Sequence, residues 1–283
     1  MYHSTKKEKN NQMKFFSVLS RKPKKVYRTG LVMSGGAARG FAHIGVLKAL
    51  NEEGIYPDVV SGVSAGALAG VLYCDGYQAD DIFRIFKDKS LMRFASITIP
   101  RDGLLGIDNL GKVLKETLHA NTFEELKIPF YCNATNLNEG TSEYFHKGEL
   151  VPRIVASASI PVLFKPVYLN NVTYVDGGVL DNFPVQPIQG RADNIIGVRV
   201  NPTGKDENIR GLIKIAERAF HISVNSRIHE MAENCDIFIQ PEKVNRYGLL
   251  NASAGKELFE LGYEKAKEVL KKQRLTKFAI KAS

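Results

Sequence analysis

The stretch Asp58-Val59-Val60-Ser61-Gly62-Val63-Ser64-Ala65-Gly66-Ala67-Leu68-Ala69 decides how the chain folds. Val59-Val60 is a short β-branched run, and Ala67 to Leu72 is small and helix-compatible. Between them Gly62-Val63-Ser64-Ala65-Gly66 satisfies G-x-S-x-G, a strand-to-helix turn that exposes one serine. Gly62 and Gly66 remove side chains that a bend this sharp would not tolerate. Ser64 then stands at a helix N-terminus, where free backbone N–H groups favour negative charge. So short a pattern also fits an ordinary strand-to-helix turn with a serine cap.

Upstream, Thr29 to Met33 reads as a buried strand, and Ser34-Gly35-Gly36-Ala37-Ala38-Arg39-Gly40 as a glycine-rich loop. Phe41, Ile44, Leu47 and Leu50 recur at three-residue spacing, so a helix runs to about Asn51, with Gly54 as its stop. Strand, loop, helix, strand, elbow, helix is the alternation of an α/β protein, a parallel sheet covered by helices. A dinucleotide site needs G-x-G-x-x-G, and Ala37 stands where the second glycine belongs; a phosphate-loop lysine is also lacking. The loop's backbone N–H groups suit a carboxyl-derived oxyanion instead.

Downstream, the pattern predicts a helix around Ile82 to Phe86, a loop over Ile97 to Ile107, and a helix from Leu110 to Leu118 with Asp108 as N-cap. Thr122-Phe123-Glu124-Glu125 has the form of a capping box. Strands are expected at Pro129–Ala134, Glu143–Phe145, Val172–Val175, Ile195–Val200 and Ile237–Ile239. Helices are expected over Leu150–Ser159, Asn208–Met231 and Ala254–Lys272, with Ser157 and Ser159 as wall or cap residues. Asp176-Gly177-Gly178 follows a strand. Asp-Gly alone marks a hairpin turn, but a carboxylate at one strand end can meet Ser64 at a neighbouring one.

The 283 residues, 44% hydrophobic and 24% charged, suit one large domain, residues 29–283, behind a basic appendage, residues 1–28. Three scattered cysteines exclude a disulfide framework and a zinc site, and fit a reducing cytoplasm. No apolar run reaches the roughly 20 residues of a membrane span. The net charge of +9 is divided unevenly: +8 on residues 1–28, +5 on residues 263–283 and −4 on the remainder. An acidic body with basic ends argues against nucleic acid as a partner and for an anionic surface or simple solubility. Phe15, Phe16, Val18 and Leu19 add apolar side chains to the basic N-terminus, which reads as uncleaved and flexible.

Taken together, the glycine loop Gly35–Gly40, the elbow Gly62–Gly66 and Asp176-Gly177-Gly178 make the chain resemble the patatin-like phospholipase family, especially its compact bacterial members. The likeness covers about Leu31 to Val200, with the Ala156–Pro161 stretch also familial. It implies a three-layer α/β/α fold with a mainly parallel sheet. It implies a serine lipid acyl hydrolase acting on phospholipid or another acyl-ester lipid, cytoplasmic or peripheral at the membrane. Ser64 is then the nucleophile and Asp176 the base of a dyad, with the Gly35, Gly36 and Ala37 amides holding the oxyanion and Arg39 supporting the loop or the lipid phosphate. No metal or cofactor is expected. Ala37 departs from the family, which has a third glycine there; alanine keeps the N–H but is strained at positive φ.

A Ser–His–Asp hydrolase needs its histidine after the acid, and only His221 and His229 follow Asp176. Both are read as structural, as are His43, His119 and His146. Two alternatives share these residues: a membrane-surface regulatory protein with a vestigial site, and an acyltransferase.

Overall fold

The computed structural model describes residues 26–88, 108–161, 163–204, 209–224 and 232–281. At the centre of an eight-stranded sheet lies β1 (Tyr27–Met33), buried from Gly30 to Met33. It pairs in parallel with β2 (Val59–Gly62) on one side and β7 (Ala192–Val198) on the other. Beyond β7 runs β8 (Ile237–Ile239), and beyond β2 runs β3 (Phe130–Asn136), both parallel to their neighbours. Strands covered on both faces carry continuous apolar runs, which is why Leu31-Val32-Met33 and Val59-Val60 do not alternate with polar residues.

The edge of β3 brings distant parts of the chain together. β4 (Thr141–Phe145) pairs antiparallel with Cys132–Asn136, and β6 (Val172–Asp176) pairs antiparallel with Ala134–Asn136. A strand has two edges. With β4 filling one, β2 at Phe130–Cys132 and β6 at Ala134–Asn136 share the other. β2 ends at Gly62 opposite Cys132, and β6 ends at Asp176 opposite Ala134. The two strands therefore point at each other end to end, two residues or roughly 7 Å apart along β3. β5 (Val167–Leu169) closes this side as an antiparallel partner of β6.

Seven helices are described: α1 (Phe41–Glu52), α2 (Ala65–Asp75), α3 (Ala79–Asp88), α4 (Asp108–Thr117), α5 (Leu150–Ser157), α6 (Leu212–Ser223) and α7 (Gly255–Lys281). On one face of the sheet Leu31, Met33, Val60, Phe130 and Val198 join a core with Ile44, Leu47, Leu72, Ile154 and Leu258. On the other, Val32, Val59, Tyr131 and Ile195 pack against Phe183, Val185 and Ile188. The chain steps from β1 to β2 in one direction and from β7 to β8 in the other, the reversal of strand order of a doubly wound sheet. Every residue of α2 is buried, matching its small, apolar sequence. α1 and α7 cross at Gly45 and Gly262, where a Cβ on either would strike the other helix's backbone.

The expected α/β architecture is present, and the differences are local. β1 begins at Tyr27, inside the stretch assigned to the basic appendage. The expected strands at Glu143–Phe145 and Val172–Val175 are present as β4 and β6, while β5 is an addition; its three residues carry too little pattern to be read. Thr122 makes no side-chain cap bond, and Phe123–Glu125 is a single 3-10 turn. Only half of the reciprocal pair survives there in altered form, as Glu125 Oε2 accepts from the Asn121 N–H at 2.7 Å. The expected helix over Asn208–Met231 is described as α6; Asn208, residues 225–231 and the loop Ile97–Ile107 lie outside the described residues.

Candidate active site

Val63 and Ser64 link β2 to α2. The Val63 N–H donates to Met33 O at 3.2 Å, and Ser64 O caps the new helix by accepting from Leu68 N at 3.0 Å. Ser64 has φ 53° and ψ −121°, a backbone state an L-residue holds only when its surroundings enforce it, at of order 1–3 kcal/mol. One enforcing contact is at Gly66, whose missing Cβ would lie 2.6 Å from Ser34 O and closer still to Met33 O. Another is the Ser64 N–H, which donates to Ser157 Oγ at 3.1 Å. Ser64 is thus held at the C-terminal end of β2, buried to 5% exposure.

Asp176 arrives from the opposite direction. Its N–H donates to Ser159 O at 2.8 Å and its carbonyl accepts from Thr135 Oγ1 at 3.0 Å, so the last residue of β6 is fixed from both sides. Oδ1 accepts from the Gly178 N–H at 2.7 Å. Oδ2 is buried without a hydrogen bond of good geometry. Burial pushes the carboxyl up to about 7, while the neighbouring Ser64 hydroxyl and the Gly178 N–H draw it down. The hydroxyl and the carboxylate therefore face each other closely enough to interact, with a proton position open at Oδ2.

The glycine loop is the third component. Gly35 lies beside the serine: a Cβ there would be 3.4 Å from Ser64 Cβ. Ser34 N donates to Val198 O at 3.0 Å, Ser34 Oγ accepts from Val200 N at 3.1 Å, and Ala38 N donates to Leu249 O at 2.8 Å. Gly35 N donates to Asn182 O at 3.4 Å. Among the described residues, neither the Gly36 nor the Ala37 N–H donates to another backbone group. Ala37 adopts φ 47°, the left-handed state in which glycine carries no penalty. Arg39, 6% exposed, turns to the loop's supports: Nε and Nη2 reach Tyr247 O at 3.0 and 2.9 Å, and Nη1 reaches Asn201 Oδ1 at 2.9 Å.

The histidines sit apart from this pair. His221 Nε2 is 2.5 Å from Asn201 Oδ1, and burial with the Arg39 and Arg218 charges pushes its pKa down to about 4. His43 Nε2 is 2.8 Å from Ser34 O, and burial likewise pushes it to about 4. His119 pairs with Asp75, and His146 stacks on Tyr131. His229 lies outside the described residues. Ser157 and Ser159, expected as wall or cap residues, hold the Ser64 and Asp176 backbones respectively. Their shared stretch Ala156–Pro161 was a signal in the sequence; Asn182, in contact with the Gly35 position, gave none.

Residues 31–188 match the family model described as patatin-like phospholipase. The chain belongs to this family. Among curated relatives, a protein named lysophospholipase nte1 from Emericella nidulans is 30% identical over 86% of this chain, and one from Kluyveromyces lactis is 28% identical over 83%. The chain spans 18% of the length of each. Among solved structures, VipD from Legionella pneumophila superposes with a TM-score of 0.54 at 15% identity, over 92% of this chain and 73% of that one. That likeness agrees with the patatin-like fold of the sheet and its helices.

A stability measurement tests the electrostatics of Asp176. Its folded-state pKa, about 7, lies above the ordinary 3.8, so ionisation costs the fold stability. The cost is absent below about pH 4, grows between the two values and is complete above about pH 7. Asp176→Asn should therefore melt several degrees above wild type at pH 8, by roughly 2–4 °C per kcal/mol removed, with the gap closing toward pH 4. A lower melting temperature for Asp176→Asn at pH 8 would contradict the burial-driven shift.

Proposed function

We propose that the chain is a serine acyl hydrolase of lipid esters, of the phospholipase A, lysophospholipase or esterase kind, working through a Ser64–Asp176 dyad and an acyl-enzyme. The observation that carries this reading is the buried Asp176 carboxyl, near-neutral in pKa, facing a strained Ser64 with no histidine acting on it among the described residues. A carboxylate of ordinary pKa is a weak base for a serine; one raised to about 7 takes a proton far more readily and remains ionised in part at neutral pH.

In this reading Asp176 Oδ2 accepts the Ser64 hydroxyl proton as Oγ attacks the ester carbonyl carbon. The carbonyl π pair moves to oxygen, and the Gly36 and Ala37 amides bind the oxyanion. Collapse breaks the bond to the alcohol, which leaves with the proton from Asp176. Asp176 then takes a proton from water, whose oxygen attacks the acyl-enzyme, and the same proton returns to Ser64 as the fatty acid departs. Arg39 and His43 act on the loop that supplies the amides, not on the reacting atoms. The lysophospholipase names of the relatives favour a single-chain acyl ester as substrate.

Hydrolysis of a short soluble ester by the purified protein tests the dyad. Ser64→Ala should lose at least about a thousandfold in kcat with the fold intact, and Asp176→Asn nearly as much. His221→Ala should stay within about tenfold, since its imidazole is committed to Asn201. Activity above about a thousandth in Ser64→Ala would remove the serine from the mechanism. A folded His221→Ala as damaged as Asp176→Asn would replace the dyad with a triad.

A lipid substrate resides in a bilayer, and the basic N-terminus is a means of reaching it. Each basic residue near an anionic leaflet contributes up to about 1 kcal/mol. Deleting residues 1–25, which leaves β1 whole, should weaken sedimentation with vesicles containing phosphatidylserine at low salt, while hydrolysis of a soluble ester is unchanged. Added salt should act on the full chain as the deletion does. Equal sedimentation of both forms would overturn this role.

A further inference from the structure

We infer that Asn182 supplies a side-chain N–H donor to the reacting carbonyl, completing an oxyanion site otherwise made of backbone amides. The inference rests on Ser64 and Asp176 acting as proposed above. Asn182 lies just past the Gly177–Val179 turn that follows Asp176, and is 6% exposed. Its carboxamide stands between the two loops of the site. Oδ1 occupies the space a Gly35 Cβ would take, on the side where that Cβ would also approach Ser64 Cβ at 3.4 Å. The same Oδ1 lies 2.7 Å from where a Gly178 Cβ would be, a point 2.9 Å from Asp176 Oδ1.

Both neighbours of Asn182 are tied down. Asp181 Oδ1 accepts from Phe183 N at 3.0 Å, Asp181 Oδ2 accepts from Tyr144 Oη at 2.7 Å, and Asp181 O accepts from Asn133 Nδ2 at 3.0 Å. The Asn182 carbonyl receives Gly35 N. The carboxamide is left over: Nδ2 is buried without a hydrogen-bond partner among the described residues. An unmet buried donor costs the free protein stability, a cost recovered when a ligand brings the acceptor. Half a turn about the Cβ–Cγ bond exchanges Oδ1 and Nδ2 and presents the N–H to the space between Gly35 and Ser64. An ester carbonyl under attack by Ser64 Oγ gains negative charge on its oxygen there, and an asparagine N–H is a known type of donor for such an oxygen.

The test uses Asn182→Ala and Asn182→Asp in the full chain, with a short soluble ester and an alkyl trifluoromethyl ketone, which forms a tetrahedral adduct with a nucleophilic serine. Removing one such donor should lower kcat by about a hundredfold or more, while KM stays within about threefold. Ketone affinity should fall in parallel, and the melting temperature should hold. Asn182→Asp keeps the shape, so it decides the matter if the alanine variant fails to fold. A kcat within about fivefold of wild type in a folded variant overturns the inference, as does a kcat loss without a matching loss of ketone affinity. Unfolding of both variants overturns it as well, because the carboxamide is then structural. Ser64→Ala run alongside separates the two readings: if it stays active, the dyad itself fails; if it is inactive while the Asn182 variants work normally, only the donor role fails.

Discussion

One edge of β3 carries two strands end to end, and the site depends on that arrangement. β2 comes from the parallel half of the sheet and β6 from the antiparallel half, each ending where the other ends. Hydrogen bonding along β3 fixes the register of both, so the Gly62 and Asp176 positions cannot drift independently. Ser64 follows Gly62 by two residues, and the close approach of Gly66 to Ser34 O folds it back over the gap. Sheet pairing thus brings the Ser64 hydroxyl and the Asp176 carboxyl close enough to influence each other.

The surroundings of that pair are set by burial. With the Gly178 N–H as its firm hydrogen bond, Asp176 is charged at an energetic cost, which makes it basic. Backbone strain at Ser64 and Ala37 adds to the cost, and the dense packing of α1 and α2 beneath the site offsets it. Asn201 joins Arg39 of the loop to His221 of α6, so the loop is braced from that helix. His43 does the same from below through Ser34 O.

Much of this was legible in the sequence because the elbow, the glycine loop and the Asp-Gly-Gly turn are local devices. Each needs particular residues within a few positions to make its own backbone conformation, and Ala37 at positive φ was foreseeable for that reason. The supports were less legible. Ser157 reaches Ser64 across 93 residues, and nothing in the local pattern says which backbone group a serine will meet. Asn182 sits in a turn of common composition, where its side chain matters only because Gly35 comes to rest against it. Thr122 makes no cap bond, and the Phe123 N–H donates instead to Gly148 O at 3.1 Å, a partner 25 residues away that no local pattern announces. β5 escaped because its three residues are too few to show the alternation that would identify a strand.

The central claim is that Asp176, and no histidine, activates Ser64. The rate at which a fluorophosphonate labels Ser64, followed by mass spectrometry across pH 5 to 9, tests it most directly. The account predicts a rate that rises through about pH 7, where Asp176 loses its proton, and then levels off. In Asp176→Asn that pH dependence should vanish and labelling should slow by about a hundredfold or more, while His221→Ala keeps the wild-type profile. An Asp176→Asn protein that labels at the wild-type rate with the wild-type pH profile would contradict the account.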